Sequence, residues 1–256
     1  MTRTFRSFEF RAANYRTAVP DFEKVKRSIR SLRSSLEVYI QQHPEFAESL
    51  VPLRALGSSA PECARRMHAA SLLTGVGPMA AVAGTFSQMA VEMCQKNTFF
   101  SPAETSAGSQ PEYIVENGGD IFAVVHSPLL IGLWVGPDSP FDGLAMEIRP
   151  EDSPIAACSS SSSLGHSYSM GDCDLVTVFS PDASLADACA TAVCNRIVSP
   201  QTLQKSIEEA MGISGILGVM AIKGERIAMA GKVPELIRNC DPELRAKVSR
   251  HDLSSF

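Results

Sequence analysis

The sequence predicts a mixed α/β domain in which sheets are backed by helices. Three observations carry this expectation. Short β-rich runs separated by Gly, Asn and Pro turns recur in the second half of the chain, as in Tyr113–Val115 and Ile121–Val125. Long stretches with apolar residues three and four apart recur in both halves, as at Val25, Ile29, Leu32, Leu36 and Ile40. Hydrophobic residues make up 45% of the 256, enough to build a substantial core between such layers.

In chain order, Thr4–Ala12 reads as a strand, with Phe5, Phe8 and Phe10 set among charged neighbours. Pro20 and Asp21 open a helix that ends before His43-Pro44. Its outer face carries Lys24, Lys26, Arg27, Arg30 and Arg33, as expected of a solvated amphipathic helix. A short helix over Glu45–Leu50 follows, and Pro61 starts another that runs to Leu73. Thr74-Gly75-Val76-Gly77-Pro78 then leads into an Ala-rich helix, Met79–Gln95. This glycine-rich entry reads either as a helix–helix corner or as an anion cradle of unpaired N–H groups. Phe100–Gln110, polar and small, reads as an exposed mobile loop.

Further strands are expected at Ile131–Val135, Leu144–Ile148, Ile155–Cys158 and Asp174–Phe179. Ser159–Ser163 reads as a loop, or as hydroxyls and N–H groups able to meet phosphate oxygens. His166 follows within a few residues and is a candidate proton carrier. Helices are expected at Leu185–Val198 and Pro200–Met211. A hairpin is expected around Lys223-Gly224-Glu225, and a charged, partly helical tail over Pro234–Phe256. The halves share an order of helical and strand segments, which points to a duplicated fold within a single domain over 1–256, with 1–55 an N-terminal strand plus helix.

Charge and cysteine usage bound the function. A net charge of −5 argues against a protein that coats nucleic acid. No apolar run reaches the ~18–20 residues that span a bilayer. The seven cysteines include no Cys-x-x-Cys pair and lack His at zinc spacing, so structural thiols in a reducing cytoplasm are expected.

Two constellations carry chemistry. The first is Glu116-Asn117-Gly118-Gly119-Asp120, between two apolar strands. Asn-Gly-Gly suits a tight hairpin, yet the extra acids and amide also suit a site lining. The second is Asp187 and Thr191, four apart on a helix of alanines and cysteines and therefore on one face. A carboxylate and a hydroxyl stacked this way suit Mg²⁺ completed by water and phosphate, or else an ordinary capped helix turn.

Together these stretches resemble the ApbE-like superfamily, whose best-known members are FAD:protein FMN transferases. Val115–Ile121 is similar to its Gly-Gly-Asp-Ile hairpin. Ala186-Asp187-Ala188-Cys189-Ala190-Thr191-Ala192 fills every fixed position of its Ala-Asp-Ala-x-Ala-Thr-Ala helix, and Ser159–His166 is similar to its Ser-rich segment leading to His. Thr74–Gly84 and the Glu-Asn before Gly118 resemble an uncharacterised branch of the superfamily. The likeness covers roughly Thr74–Ala192 and implies a T-fold-like build. It implies Mg²⁺ at Asp187 and Thr191 beside the pyrophosphate of FAD or another nucleotide, and transfer of FMN to a Thr or Ser of an acceptor protein with release of AMP.

The expected nucleotide contacts are Thr74, Gly75, Gly77, Gly84, Glu116, Asn117, Gly118, Gly119, Asp120, Ser161, Ser162, Ser163 and Gly165, with His166 catalytic. The sequence departs from the transferases at Ala83, where they have Lys, and at Gln88, near their Asp. It also reads His166-Ser167-Tyr168-Ser169 where they have His-Ile-x-Asp-Pro. A non-catalytic nucleotide-binding module and a cysteine-based sulfur or redox protein are the alternatives. The expected state is a monomer or homodimer that contacts neither nucleic acid nor membrane.

Overall fold

The computed structural model of the chain describes residues 3–11, 13–96, 110–135, 139–162 and 171–238. In chain order the strands are β1 (Arg6–Phe10), β2 (Ala13–Ala18), β3 (Tyr113–Asn117), β4 (Asp120–Val124), β5 (Leu129–Gly132), β6 (Leu144–Ile148), β7 (Ile155–Ser160), β8 (Leu175–Ser180), β9 (Gly218–Lys223), β10 (Arg226–Gly231) and β11 (Glu235–Arg238). The helices are α1 (Phe22–Gln42), α2 (Glu45–Glu48), α3 (Glu62–Thr74), α4 (Val82–Gln95), α5 (Ala183–Arg196) and α6 (Leu203–Met211).

Eight strands form one antiparallel sheet in the order β1-β2-β3-β4-β7-β8-β9-β10. A hairpin, helices and a second hairpin occur in that order twice, first through β1–β4 and again through β7–β10. The duplicated order expected from the sequence is thus present in the topology. A second sheet, β11-β6-β5, has three strands.

Strand alternation explains the layers. In β7 and β8, Ala156, Cys158, Val176 and Val178 join the helix-side core, whereas Ile155, Ala157, Leu175 and Phe179 join a second core. That second core also takes Leu129, Met146 and Ile148 from the smaller sheet. The large sheet is therefore covered by helices on one face and by the small sheet on the other, which lets its central strands be apolar on both sides.

Local chemistry sets the helix ends. Asp21 caps α1 by accepting from Lys24 N at 2.8 Å, and Val25, Ile29, Leu32 and Leu36 are buried. Gly75 ends α3 in the left-handed region at φ 80°, with its N–H on Ser71 O at 2.9 Å. The Thr74 hydroxyl donates to Ala70 O at 2.8 Å. A Cβ at Gly77 would lie 1.9 Å from Ser49 O. Thr74, Gly75 and Gly77 thus build a tight corner, after which the chain turns by 107° into the next helical segment. The segment forms the expected corner. The cradle expected at Thr74, Gly75 and Gly77 falls where the Thr74 hydroxyl and the Gly75 N–H are spent within α3 and Gly77 is packed on Ser49.

Several expectations are corrected. Ala13–Ala18 is a strand of its own, reached through Arg11 at φ 50°. Tyr15 stacks on Phe8 with ring centroids 4.9 Å apart. With Arg rather than Gly in the left-handed position, that turn carries no sequence signature. Trp134 lies beyond β5, which ends at Gly132. The Pro234–Phe256 tail begins as strand β11 paired with β6, and its part from 239 onward lies outside the described residues. Most of Phe100–Gln110 lies outside the described residues.

The two corner glycines should fail differently. Gly77→Ala forces a methyl into the Ser49 backbone and should cost roughly 2–3 kcal/mol. Gly75→Ala meets nothing within 4 Å and should cost only the left-handed backbone penalty, about 1 kcal/mol. Urea unfolding of both variants checks the order, and equal losses would contradict the close packing at Gly77.

Candidate functional site

The site starts from a close approach of two helices. Asp182 caps α5, accepting from Ser184 N at 2.9 Å and Leu185 N at 3.2 Å. The small residues that follow leave room for α4 to come almost backbone to backbone. A Cβ at Gly84 would lie 2.3 Å from Ala183 O and 2.9 Å from Asp187 Cβ. Because that Cβ is missing, Gly84 N–H donates to Asp187 Oδ2 at 2.8 Å. Two further contacts hold the same seam. Ala183 N donates to Gln88 Oε1 at 2.7 Å, and the hydroxyls of Thr85 and Ser184 are 2.8 Å apart.

Opposite this seam stands the β3–β4 hairpin. Gly118 at φ 63° and Gly119 at φ 103° form its two-residue turn, with Asn117 and Asp120 paired across it. Alternation sends Asn117 and Asp120 to the helix side, with Val115 and Phe122. Asn117 Nδ2 reaches Ala83 O at 3.5 Å. Asp120 Oδ1 accepts from Ser159 N at 3.1 Å, and the Asp120 carbonyl accepts from Ser87 Oγ at 3.0 Å. Glu116 belongs to the other face, in register with Arg16 of β2. It was expected among the ligand contacts, and the pleat of β3 turns it away from Asp120.

Asp120 and Asp187 therefore meet beneath the glycine turn, each only 7% exposed. Burial pushes the Asp120 carboxyl well above the usual carboxylate range, and the negative charge of Asp187 pushes it further. Burial raises Asp187 to about 7, although N–H groups of Gly84 and Ala83 pull it back. The groups acting most strongly on the two acids include no Lys or Arg. Beside them, Cys158 Sγ donates to Ala183 O at 3.6 Å, and burial, followed by the two carboxylates, holds it as a thiol.

Thr191, one turn beyond Asp187, is half-buried. Among the described residues its hydroxyl makes no hydrogen bond, unlike Thr74 and Thr85, which bond back to the preceding turn. Thr191 is therefore not satisfied by its own helix, and its oxygen is available.

The serine run divides. Ser159 and Ser160 extend β7, with Ser159 Oγ 2.9 Å from Thr177 Oγ1. Ser160 is 9% exposed, and its hydroxyl has no hydrogen-bond partner among the described residues. Ser161 is buried. Ser162 is a latch: its N–H donates to Cys173 O at 2.9 Å and its hydroxyl accepts from Cys173 N at 3.0 Å. The phosphate contact expected of Ser162 thus falls on a hydroxyl that already serves local structure. Ser163, Gly165 and His166 lie outside the described residues.

Ser160, Ser87 and Gln88 also border the acid pair. The loop expected over Ser159–Ser163 leaves Ser160 without a face. Continuing the alternation from Ile155 would have placed it on the Cys158 face.

Two carboxylates and nearby hydroxyls are hard oxygen donors, the set suited to Mg²⁺. A cation between them would offset the burial and repulsion that oppose ionising both acids. The residues present thus fit a divalent cation. Among the described residues no group of three or more His, Cys, Asp or Glu side chains forms a metal cluster, so hydroxyls, water or a phosphate would have to complete the shell.

The fold is that of solved ApbE proteins. The solved flavinyl transferase ApbE of Pseudomonas stutzeri, in its apo form, superposes with a TM-score of 0.55 at 12% identity, covering 89% of this chain and 94% of that one. The flavin transferase ApbE of Vibrio cholerae gives 0.55 at 12%, covering 90% and 96%. The family model described as AbpE bacteria matches residues 13–215. A UPF0280 protein of Methanocella arvoryzae is 40% identical over 211 residues, covering 82% of this chain and 81% of the relative. A UPF0280 protein of Methanosarcina acetivorans is 38% identical over 217 residues, covering 84% and 81%. The chain belongs to this AbpE bacterial family and is similar to its UPF0280 proteins.

The acid pair dictates a pH dependence. Asp187 binds its proton more tightly folded than unfolded, with about 7 against an ordinary 3.8. Its contribution to stability is full below the unfolded value and is lost as pH rises through about 7. Asp187→Asn keeps an acceptor for Gly84 N–H but cannot ionise. In cation-free protein it should be more stable than the parent at pH 8 by on the order of 4 kcal/mol, and by only about a third of that at pH 5, where the unfolded Asp is already ionised. Urea melts at the two pH values check this, and a pH-independent difference would contradict it.

Proposed function

We propose that the chain binds the pyrophosphate of FAD, or of a related nucleotide, together with Mg²⁺, and transfers FMN to a Thr or Ser hydroxyl of an acceptor protein. The observation that carries this reading is the buried Asp120–Asp187 pair beneath the Gly118–Gly119 turn. Shared fold with flavin transferases supports the choice of nucleotide.

Asp187 and Thr191 would hold the cation from α5, with Asp120 opposite them. Gly84 N–H fixes the Asp187 carboxylate before any ligand arrives, so little reorganisation is left for binding. A Cβ at Gly118 would meet nothing within 4 Å, so a phosphate can approach the turn backbone closely. When bound, Mg²⁺ neutralises phosphate charge and favours loss of AMP. In the transfer, the acceptor oxygen forms a bond to the FMN phosphorus. The phosphoanhydride bond to AMP breaks, and the hydroxyl proton passes to a base, a role we assign to His166.

A second reading, nucleotide binding without transfer, is favoured by two residues. Ala83 stands where the transferases carry Lys. The Gln88 amide is spent on Ala183 N and on Glu92 Oε1, the latter at 3.1 Å. The cysteine-based reading has burial against it. Cys158 and Cys173 are held as thiols, and Cys189 is pushed up to about 12, so none is poised as a thiolate nucleophile.

Incubation of the chain with FAD, Mg²⁺ and a Ser/Thr-bearing acceptor protein should release AMP and leave covalent flavin fluorescence on the acceptor. Omission of Mg²⁺, or Asp187→Ala, should lower the rate by about 10²-fold or more. FAD-induced stabilisation without AMP would select the second reading. No effect of FAD or other nucleotides on stability would sink both.

A further inference from the structure

Ser160 is an anomaly in an otherwise well-paired interior. It is the one described residue with a buried side-chain oxygen or nitrogen lacking any hydrogen-bond partner. Buried hydroxyls are nearly always paired, because leaving one dry costs free energy that an alanine would not. A strand position that keeps such a group asks for a reason.

The pleat gives its direction. Ser160 shares a strand face with Cys158 and Ala156, which belong to the helix-side core under α5. The β4–β7 register pairs Ile121 with Ala157, which brings Asp120 beside Cys158 and Gly118 beside Ser160. The bond from Ser159 N to Asp120 Oδ1 anchors that alignment. Ser160 therefore lies on the same face as the acid pair, about 6.6 Å at the usual strand rise from Cys158, the neighbour of Asp120, and beside the glycine turn. Cys158 itself spends its thiol on Ala183 O.

We infer that Ser160 Oγ is an outer-sphere contact of the cation site, hydrogen-bonded to a water carried by the divalent ion that Asp187 and Asp120 hold. The inference rests on the cation reading given above. Mg²⁺ gives up its waters reluctantly, so a site closed around two carboxylates needs oxygens placed to receive them. A buried hydroxyl with no protein partner on that face is placed for that purpose, and losing such an outer-shell partner typically weakens metal binding 10–100-fold.

The test is Ser160→Ala in the full chain, with Mn²⁺ alone as the probe, its free concentration read by electron paramagnetic resonance and Mg²⁺ as competitor. The cation-free variant should melt at the parent temperature or a few degrees above it, while its Mn²⁺ affinity falls about tenfold. This opposite movement of stability and affinity is what a purely structural hydroxyl would not give. If Ser160→Ala binds Mn²⁺ like the parent while Asp187→Ala does not, the Ser160 assignment alone is overturned. If the parent itself binds no Mn²⁺, the cation reading falls and this assignment falls with it.

Discussion

The missing side chain at Gly84 is the constraint on which the site depends. A methyl there would run into the Ala183 carbonyl and the Asp187 side chain, and α4 and α5 would have to separate. With the methyl absent, a backbone N–H grips Asp187, and the Thr85–Ser184 and Gln88–Ala183 contacts fall into place along the same seam. The alanines and cysteines of α5 serve the same closeness, since larger residues would hold the helices and sheet further apart. The site is thus a by-product of tight packing, with a carboxylate at its narrowest point.

That packing creates a charge problem. Two carboxyl groups are buried close enough for the charge of one to act on the other, and burial makes ionising both unfavourable. A protein selected for stability alone would replace one of them with an amide or an alkyl group. Retaining both, with the Ser160 hydroxyl left unpaired on the same face, is the pattern expected where stability is given up for binding. The Gly118–Gly119 turn completes the arrangement by leaving its outer side bare.

Much of this could be read from residue order, and the failures have physical causes. The helix α1 was legible because Val25, Ile29, Leu32 and Leu36 keep a clean period and Asp21 caps it. The Asp187–Thr191 face followed from helical spacing, and the hairpin from Asn-Gly-Gly. Strand β2 was invisible because its entry turn uses Arg11 instead of a turn-forming residue. Serine's low strand preference hid the end of β7 and with it Ser160. The Gly75–Gly77 corner could be recognised as a bend, but only the contact with Ser49 shows which job it does. Pairwise placement across 103 residues, as between Gly84 and Asp187, is beyond local pattern and comes from the way the helix layer stacks on the sheet.

The most direct measurement is an anomalous diffraction map from crystals grown or soaked with Mn²⁺. A single strong peak is expected between Asp120 and Asp187, about 2.2 Å from a carboxylate oxygen of each, with Thr191 Oγ1 close enough to ligate. A map with no peak there, with the two carboxyl groups hydrogen-bonded directly to one another in the presence of the metal, would contradict the cation site and with it the functional reading built on it.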